Sequence, residues 1–281
     1  MIDNYRIRRF TDVLLRGVCV AAVITAIIPL GLVLAYLMMQ GIPGLNWQFF
    51  THLPKPVGET GGGMANAIVG SLEIVAVAAI IGIPVGILGG VFLSEFGNNR
   101  LGKAVRFAAD VMSGVPSITV GLFVYGIIVL KTRQFSAWAG AIALAVLMLP
   151  TVTRTSEELL RLVPHAIREA ALGLGVPQWR ATLRVVLRTA LPGIATGVML
   201  AVARVAGETA PLLFTAFGNR FWASSLNEPP ASLPVQIYTY AISPYEDWHR
   251  QAWTAALVLV MLVLLLNVSA RWFLRTRVRM S

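Results

Sequence analysis

The chain is poor in reactive side chains: it has one cysteine, three histidines and 13% charged residues in 281. The lone thiol, Cys19, excludes an intrachain disulfide, and its place inside an apolar run gives it a packed or lipid-facing role. No Cys/His cluster has metal-ligand spacing and no nucleophile stands near a base. No catalytic residue, metal or cofactor is therefore expected. Also missing is any polar stretch long enough to bury a core of its own, which excludes a separate water-soluble domain.

What is abundant is apolar sequence, with 57% hydrophobic residues and a mean hydropathy of +0.73. Crossing a hydrocarbon layer of ~30 Å takes ~20 apolar residues per helix. Six stretches qualify: about 18–39, 65–93, 107–130, 135–152, 191–216 and 252–274. The expected fold is all-α, a polytopic membrane protein with six transmembrane helices in one domain over 1–281. The first stretch follows Arg6, Arg8 and Arg9 as a secretory signal would. It is too long for an h-region, however, and ends in Met38-Met39-Gln40-Gly41 without a small-x-small cleavage pattern, so it reads as an anchor.

A net charge of +10 invites a nucleic-acid reading, but the placement of the cations explains it better. With the N-terminus taken as cytoplasmic, one side holds Arg6, Arg8, Arg9, Arg16, Arg100, Lys103, Arg106, Arg154, Arg161, Arg168, Arg180, Arg184, Arg188, Arg271, Arg275, Arg277 and Arg279. The other side holds Lys55, Lys131, Arg133, Arg220 and Arg250, and Arg204 lies within a span. This asymmetry obeys the positive-inside rule for a multi-pass protein of the cell (inner or plasma) membrane with both termini cytoplasmic. No nucleic-acid partner is expected.

Pro29, Pro84, Pro116 and Pro211 fall within spans and predict kinked helices. Gly82, Gly86 and Gly90 recur every fourth residue and predict a flat face for close helix contact. The outer loops at 40–64 and 217–250 are rich in proline and aromatics. Trp222, Tyr238, Tyr240 and Trp248 in the second are expected at headgroup level or against an external partner.

Residues 154–190 form a basic, helix-prone insert too polar for a bilayer. Thr155-Ser156-Glu157-Glu158 has capping-box spacing and could start a helix. Pro164 permits a short helix over 165–174, Gly175 is available for a left-handed cap, and Pro177 begins the next helix. There Trp179, Leu183 and Leu187 form one stripe beside Arg180, Arg184 and Arg188, which suits anionic membrane lipid. Ala170 and Ala171 keep the short helix thin enough to enter a groove of another protein.

Glu169-Ala170-Ala171-x-x-x-Gly175, followed by Val185-x-Leu187, resembles the cytoplasmic EAA loop of ABC importer permeases. The resemblance implies the ABC importer type I permease fold, a transmembrane core at about 65–274 and a coupling helix that sits in a cleft of an ATP-hydrolysing subunit. ATPase coupling is thereby assigned to Glu169, Ala170, Ala171 and Gly175. One position departs: Arg188 stands where the family pattern has proline, and Pro192 comes four residues later. The segment Gly97-Asn98-Asn99-Arg100-Leu101-Gly102-Lys103-Ala104 comes within one residue of a phosphate-binding loop. It ends in alanine, which cannot ligate magnesium, and follows a membrane helix and not a strand, so ATP hydrolysis is expected in a separate chain.

Two charges lie at membrane depth in the fifth span. Arg204 and Glu208 are four residues apart, which allows either a self-neutralised pair or a switchable pair lining a path for an anion. Glu73 and Asp110 read as structural acids. The string Arg204-x-x-Gly207-Glu208-Thr209-Ala210-Pro211-Leu212-Leu213-Phe214-Thr215-Ala216 resembles the signature of the PstA family of phosphate importer permeases. Gly62-Gly63-Met64-x-Asn66-Ala67-Ile68-Val69-Gly70-Ser71, Leu93-Ser94-Glu95-Phe96-Gly97 and Gly114-Val115-Pro116-Ser117-Ile118 match as well. The resemblance implies a phosphate path through Arg204 and Glu208, a homologous permease of PstC type, an ATPase dimer of PstB type and an external phosphate-binding protein of PstS type. An arginine fork suits sulfate or molybdate equally. A secondary transporter would also carry such charges, but would have no use for a coupling loop.

Overall fold

The computed structural model describes residues 2–59 and 61–278, with side chains for 8–59 and 61–269. Arg6, Arg271, Arg275, Arg277 and Arg279, which contribute to the charge asymmetry, have side chains outside the described residues. The described residues are helical and contain no strand: α1 (Ile2–Gly41), α2 (Trp47–Thr51), α3 (Ala65–Glu95), α4 (Arg100–Gly114), α5 (Ser117–Val124), α6 (Leu130–Thr132), α7 (Ala137–Arg161), α8 (His165–Gly173), α9 (Gln178–Arg180), α10 (Leu187–Ala206), α11 (Ala210–Thr215), α12 (Leu233–Ala241) and α13 (Glu246–Val278). A π-helical turn, Tyr125–Val129, joins α5 to α6, and another, Ala181–Val186, joins α9 to α10.

Five helical stretches are long and apolar enough to span a membrane, and a sixth arises if α4 and the Ser117–Thr132 rod are counted together. That pair corrects the expected third span at 107–130, because α4 and the rod meet at 106°. Pro116 forces Val115 into an extended conformation (φ −71°, ψ 130°) and ends α4 there. α4 is amphipathic and exposes Leu101, Phe107 and Val111. Two other spans have shifted ends. The fourth runs to Arg161, well past 152, and the fifth is a continuous helical rod, Gln178–Ala206, which begins before 191 and stops before 216.

The parallel pair α3 and α7 forms the centre, with Gly82, Gly86 and Gly90 meeting Ala145, Val152 and Ser156 in turn. Every fourth residue of α3 is a glycine here because α7 lies directly against it. A Cβ on Gly86 would stand 2.7 Å from Val152 Cβ, and one on Gly90 would strike Ser156 and the Glu157 amide. Ile74, Ala78, Leu144, Met148, Val152, Ala201 and Val205 fill the core that α10 closes. α1 is largely exposed among the described residues and meets α13 near its own C-terminal end, where Tyr36 meets Trp253 edge-on and Thr254 donates to the Gly41 carbonyl at 3.1 Å.

The loops at 40–64 and 217–250 are pinned to the start of α3. Ser71 Oγ accepts the Leu233 amide at 2.7 Å, and Asn66 donates to the Asn219 carbonyl at 3.1 Å. Gly63 lies so close to the carbonyls of Phe49 and His52 that a side chain would not fit. Tyr240, expected at headgroup level, is buried and stacks on Trp248 at 4.4 Å with Arg220 over the same indole. Burial pushes its phenol above the ordinary value of 10.0, partly offset by the Gln236 hydrogen bond and by Arg220, so it stays neutral at physiological pH. Trp222 and Tyr238 are exposed.

Gly90→Val is expected to wedge α3 from α7 and cost about 1–3 kcal/mol through overpacking. Thermal unfolding in detergent checks this. Gly17→Ala, where a Cβ has open space, should leave the melt unchanged, and equal melts for both variants would contradict the seam.

Candidate functional site

The insert is built around two buried carboxylates. Thr155-Ser156-Glu157-Glu158 does not start a helix, since α7 runs through it without a break. Glu157, inside that four-residue motif, is 2% exposed and held by three arginines. Arg106 Nε donates to it at 2.6 Å, Arg161 lies at 2.9 Å and Arg154 at 3.4 Å. Arg106 also donates to the carbonyls of Gly97 and Leu93, both at 2.9 Å, which clamps the end of α3 to α4 and α7. Arg154 also reaches Asp110 of α4 at 2.8 Å. The glycines of the near-phosphate-loop segment serve this clamp. Asn99 caps α4 by accepting the Gly102 amide at 2.8 Å, and Gly102 packs on Gly97.

The second carboxylate, Glu95 at the end of α3, ion-pairs with Arg168 of α8 and accepts from Thr182 Oγ1 at 3.4 Å. Arg168 also donates to the Leu160 carbonyl at 2.7 Å. One acid thus ties the short helix, the π turn after it and a membrane span into one body. Neither Glu95 nor Arg168 stood out in the sequence as a site residue. The only signal was that an arginine directly precedes the Glu-Ala-Ala triplet.

α8 follows the expected pattern. Pro164 caps its start, and Val176 N–H to Ala171 O at 3.2 Å with Gly175 N–H to Leu172 O at 2.9 Å closes its end. Gly175 has φ +76°, a conformation that a residue with a Cβ rarely adopts. Ala171 is buried against the body, whereas Glu169 and Ala170 are exposed. Among the described residues Glu169 has no hydrogen-bonding or ionic partner. On α8 and beside it in sequence, Leu162, Ile167, Leu172, Leu174 and Trp179 are also exposed. Large exposed apolar side chains together with an uncommitted carboxylate are the composition of a protein-docking surface.

Arg204 and Glu208 are not one turn apart on a common helix face. α10 stops at Ala206 and Gly207 caps it, because Pro211 lacks the N–H that would bond the Gly207 carbonyl. Residues 207–209 are non-helical, and Ala210–Thr215 packs back against α5. A Cβ on Gly121 would lie 2.5 Å from Pro211 Cα, so these two residues set that contact. Arg204 is exposed, Glu208 is half-buried, and no ion pair joins them among the described residues. The self-neutralised pair is thereby excluded for this conformation. Glu73, half-buried on α3, likewise has no partner among the described residues.

The sequence matches the family described as "Binding-protein-dependent transport system inner membrane component" over residues 82–277. Among curated relatives, "Phosphate transport system permease protein PstA" of Yersinia pestis is 48% identical over 83% of this chain and 79% of that protein. The protein of the same description from Haemophilus influenzae is 45% identical over 95% of this chain and 94% of its own. A "Probable phosphate transport system permease protein PstA" of Methanocaldococcus jannaschii is 35% identical over 99% of both. Among solved structures, an inward-facing MetNI methionine ABC transporter superposes with TM-score 0.62 at 21% identity, covering 76% of this chain and 96% of that one. An amino acid ABC transporter with histidines gives TM-score 0.57 at 17% identity, covering 76% and 92%.

Glu157→Gln is expected to leave its three arginines undercompensated and to cost about 3 kcal/mol or more. Glu158→Gln, one residue on but exposed, should change stability little. Unfolding of the two variants side by side checks this, and equal stability would remove Glu157 from the centre of the clamp.

Proposed function

The chain belongs to the binding-protein-dependent transport inner membrane components, in their PstA phosphate-permease branch, and from that premise we propose that it forms part of the path of an ATP-driven importer of inorganic phosphate. It is a transport subunit and not an enzyme. α8 inserts into a cleft of a separate ATPase dimer of PstB type, a homologous permease of PstC type completes the path, and an external binding protein of PstS type delivers the anion. Both termini and α8 face the cytoplasm, as the cation asymmetry requires.

The observation that carries this reading is the pairing of a fixed and a free face on α8. Arg168 holds the helix to Glu95 and Leu160, while Glu169 and the exposed apolar side chains are left for a partner. A helix bonded so firmly to a span acts as a lever. Closure of the ATPase dimer displaces α8, the α9-to-α10 rod moves with it, and the path opens alternately to the two sides.

For the anion, the exposed guanidinium of Arg204 at the α10 break supplies a fork that fits phosphate oxygens. Glu208, separated from it by the break, keeps binding from becoming too tight by repelling the anion. Substrate class rests on the relatives' descriptions. Competition by sulfate and molybdate in reconstituted vesicles tests it, and inhibition by either as strong as by phosphate itself would broaden the assignment to oxyanions.

Glu169→Arg is expected to leave insertion and stability intact and to abolish uptake of labelled phosphate into vesicles; normal uptake would remove α8 from coupling. Arg204→Gln is expected to assemble fully and lose at least tenfold in uptake at limiting phosphate. Unchanged uptake would return Arg204 to a structural role.

A further inference from the structure

The rod from α9 to α10 carries a second feature that coupling and transport leave unused. Leu183, Arg184, Leu187, Arg188 and Leu191 line a surface groove of about 480 Å³. The π turn Ala181–Val186 shapes it. In an α-helix, four-residue spacing drifts around the axis, because the turn holds 3.6 residues. The wider π turn, with its i→i+5 bonding, offsets that drift and keeps the leucines and the arginines in two rows along the rod.

The cations of this groove differ from those of the buried clamp. Arg106, Arg154, Arg161 and Arg168, at the same end of the molecule, are all neutralised by carboxylates. Arg184 and Arg188 are exposed and meet no carboxylate among the described residues. Their level is also defined. Gly197 packs against Thr155 and Gly193 against Leu159, so the rod runs back along α7, Leu191 comes level with Arg161, and the Arg188 and Arg184 turns lie past the charged end of α7, on the side away from the apolar core. Trp179, one turn outward from Leu183, is exposed beside Arg180.

We propose that this groove binds an anionic phospholipid, its phosphodiester held by Arg184 and Arg188 and its upper acyl chain laid along Leu183, Leu187 and Leu191. Charge and shape agree on this occupant. Two unpaired guanidinium forks match phosphate oxygens, and a leucine row beside them matches hydrocarbon, which a free phosphate ion would leave unused. The site would couple the rod that leaves α8 to the charge of the surrounding leaflet.

The test uses the full chain, purified with its co-expressed partners into mixed micelles and titrated with dioleoyl phosphatidylglycerol or dioleoyl phosphatidylcholine. Bound lipids are counted by native mass spectrometry. The natural chain is expected to prefer phosphatidylglycerol, and R184Q/R188Q to lose that preference by about thirty-fold, roughly five-fold per cation at a charged surface. R184K/R188K should retain it. Four results would overturn the proposal: preference unchanged in R184Q/R188Q; equal loss in R184K/R188K; displacement of the lipid by millimolar inorganic phosphate; or loss of the ATPase from R184Q/R188Q complexes with lipid binding intact, which would assign the groove to a protein partner.

Discussion

A buried carboxylate cannot be left alone in an apolar interior, and this molecule is organised around that constraint. Glu157 sits where α3 and α7 are in closest contact, at a level made accessible by Gly90. Its charge is sustained by Arg106 from α4 and by Arg154 and Arg161 from α7 itself. Arg106 in turn satisfies two carbonyls at the end of α3. Three helices, α3, α4 and α7, are thus locked by one acid. Removing the acid would expose several kcal/mol of uncompensated charge.

That lock gives the neighbouring parts a fixed frame. With the end of α3 immobilised, Glu95 can hold Arg168, and α8 becomes part of the frame and not a loop hanging from it. The rod that follows α8 enters the core through the Leu160, Val186 and Ile194 cluster. It ends at Ala206, with Arg204 in its last turn and Glu208 in the non-helical backbone that follows.

Much of this was readable in the residues before the structure. Helical class and approximate spans follow from apolar runs, the α3 seam from Gly82, Gly86 and Gly90, and α8 from Pro164, the Ala pair and Gly175, because each of these is a local or periodic property. The failures concern partners distant in sequence. Thr155-Ser156-Glu157-Glu158 has the spacing of a cap, and nothing local says that Arg106, some fifty residues earlier, will bury Glu157. Arg204 and Glu208 have the spacing of a helical pair, yet Pro211 downstream breaks the helix between them. Pro116 predicts a kink, but with Gly114 two residues before it the chain is redirected outright, and one expected span becomes a bent pair. The wide turn Ala181–Val186 has no composition that marks it.

In the proposed function this chain is a passive path moved by ATP hydrolysis in another subunit, and one measurement addresses that directly. The complex purified on this chain, reconstituted with an external phosphate-binding protein, is assayed for uptake of labelled phosphate with ATP inside or outside, and with a proton gradient but no ATP. Uptake that requires both the binding protein and ATP on the α8 side is the predicted result. Uptake driven by the gradient without ATP would contradict it.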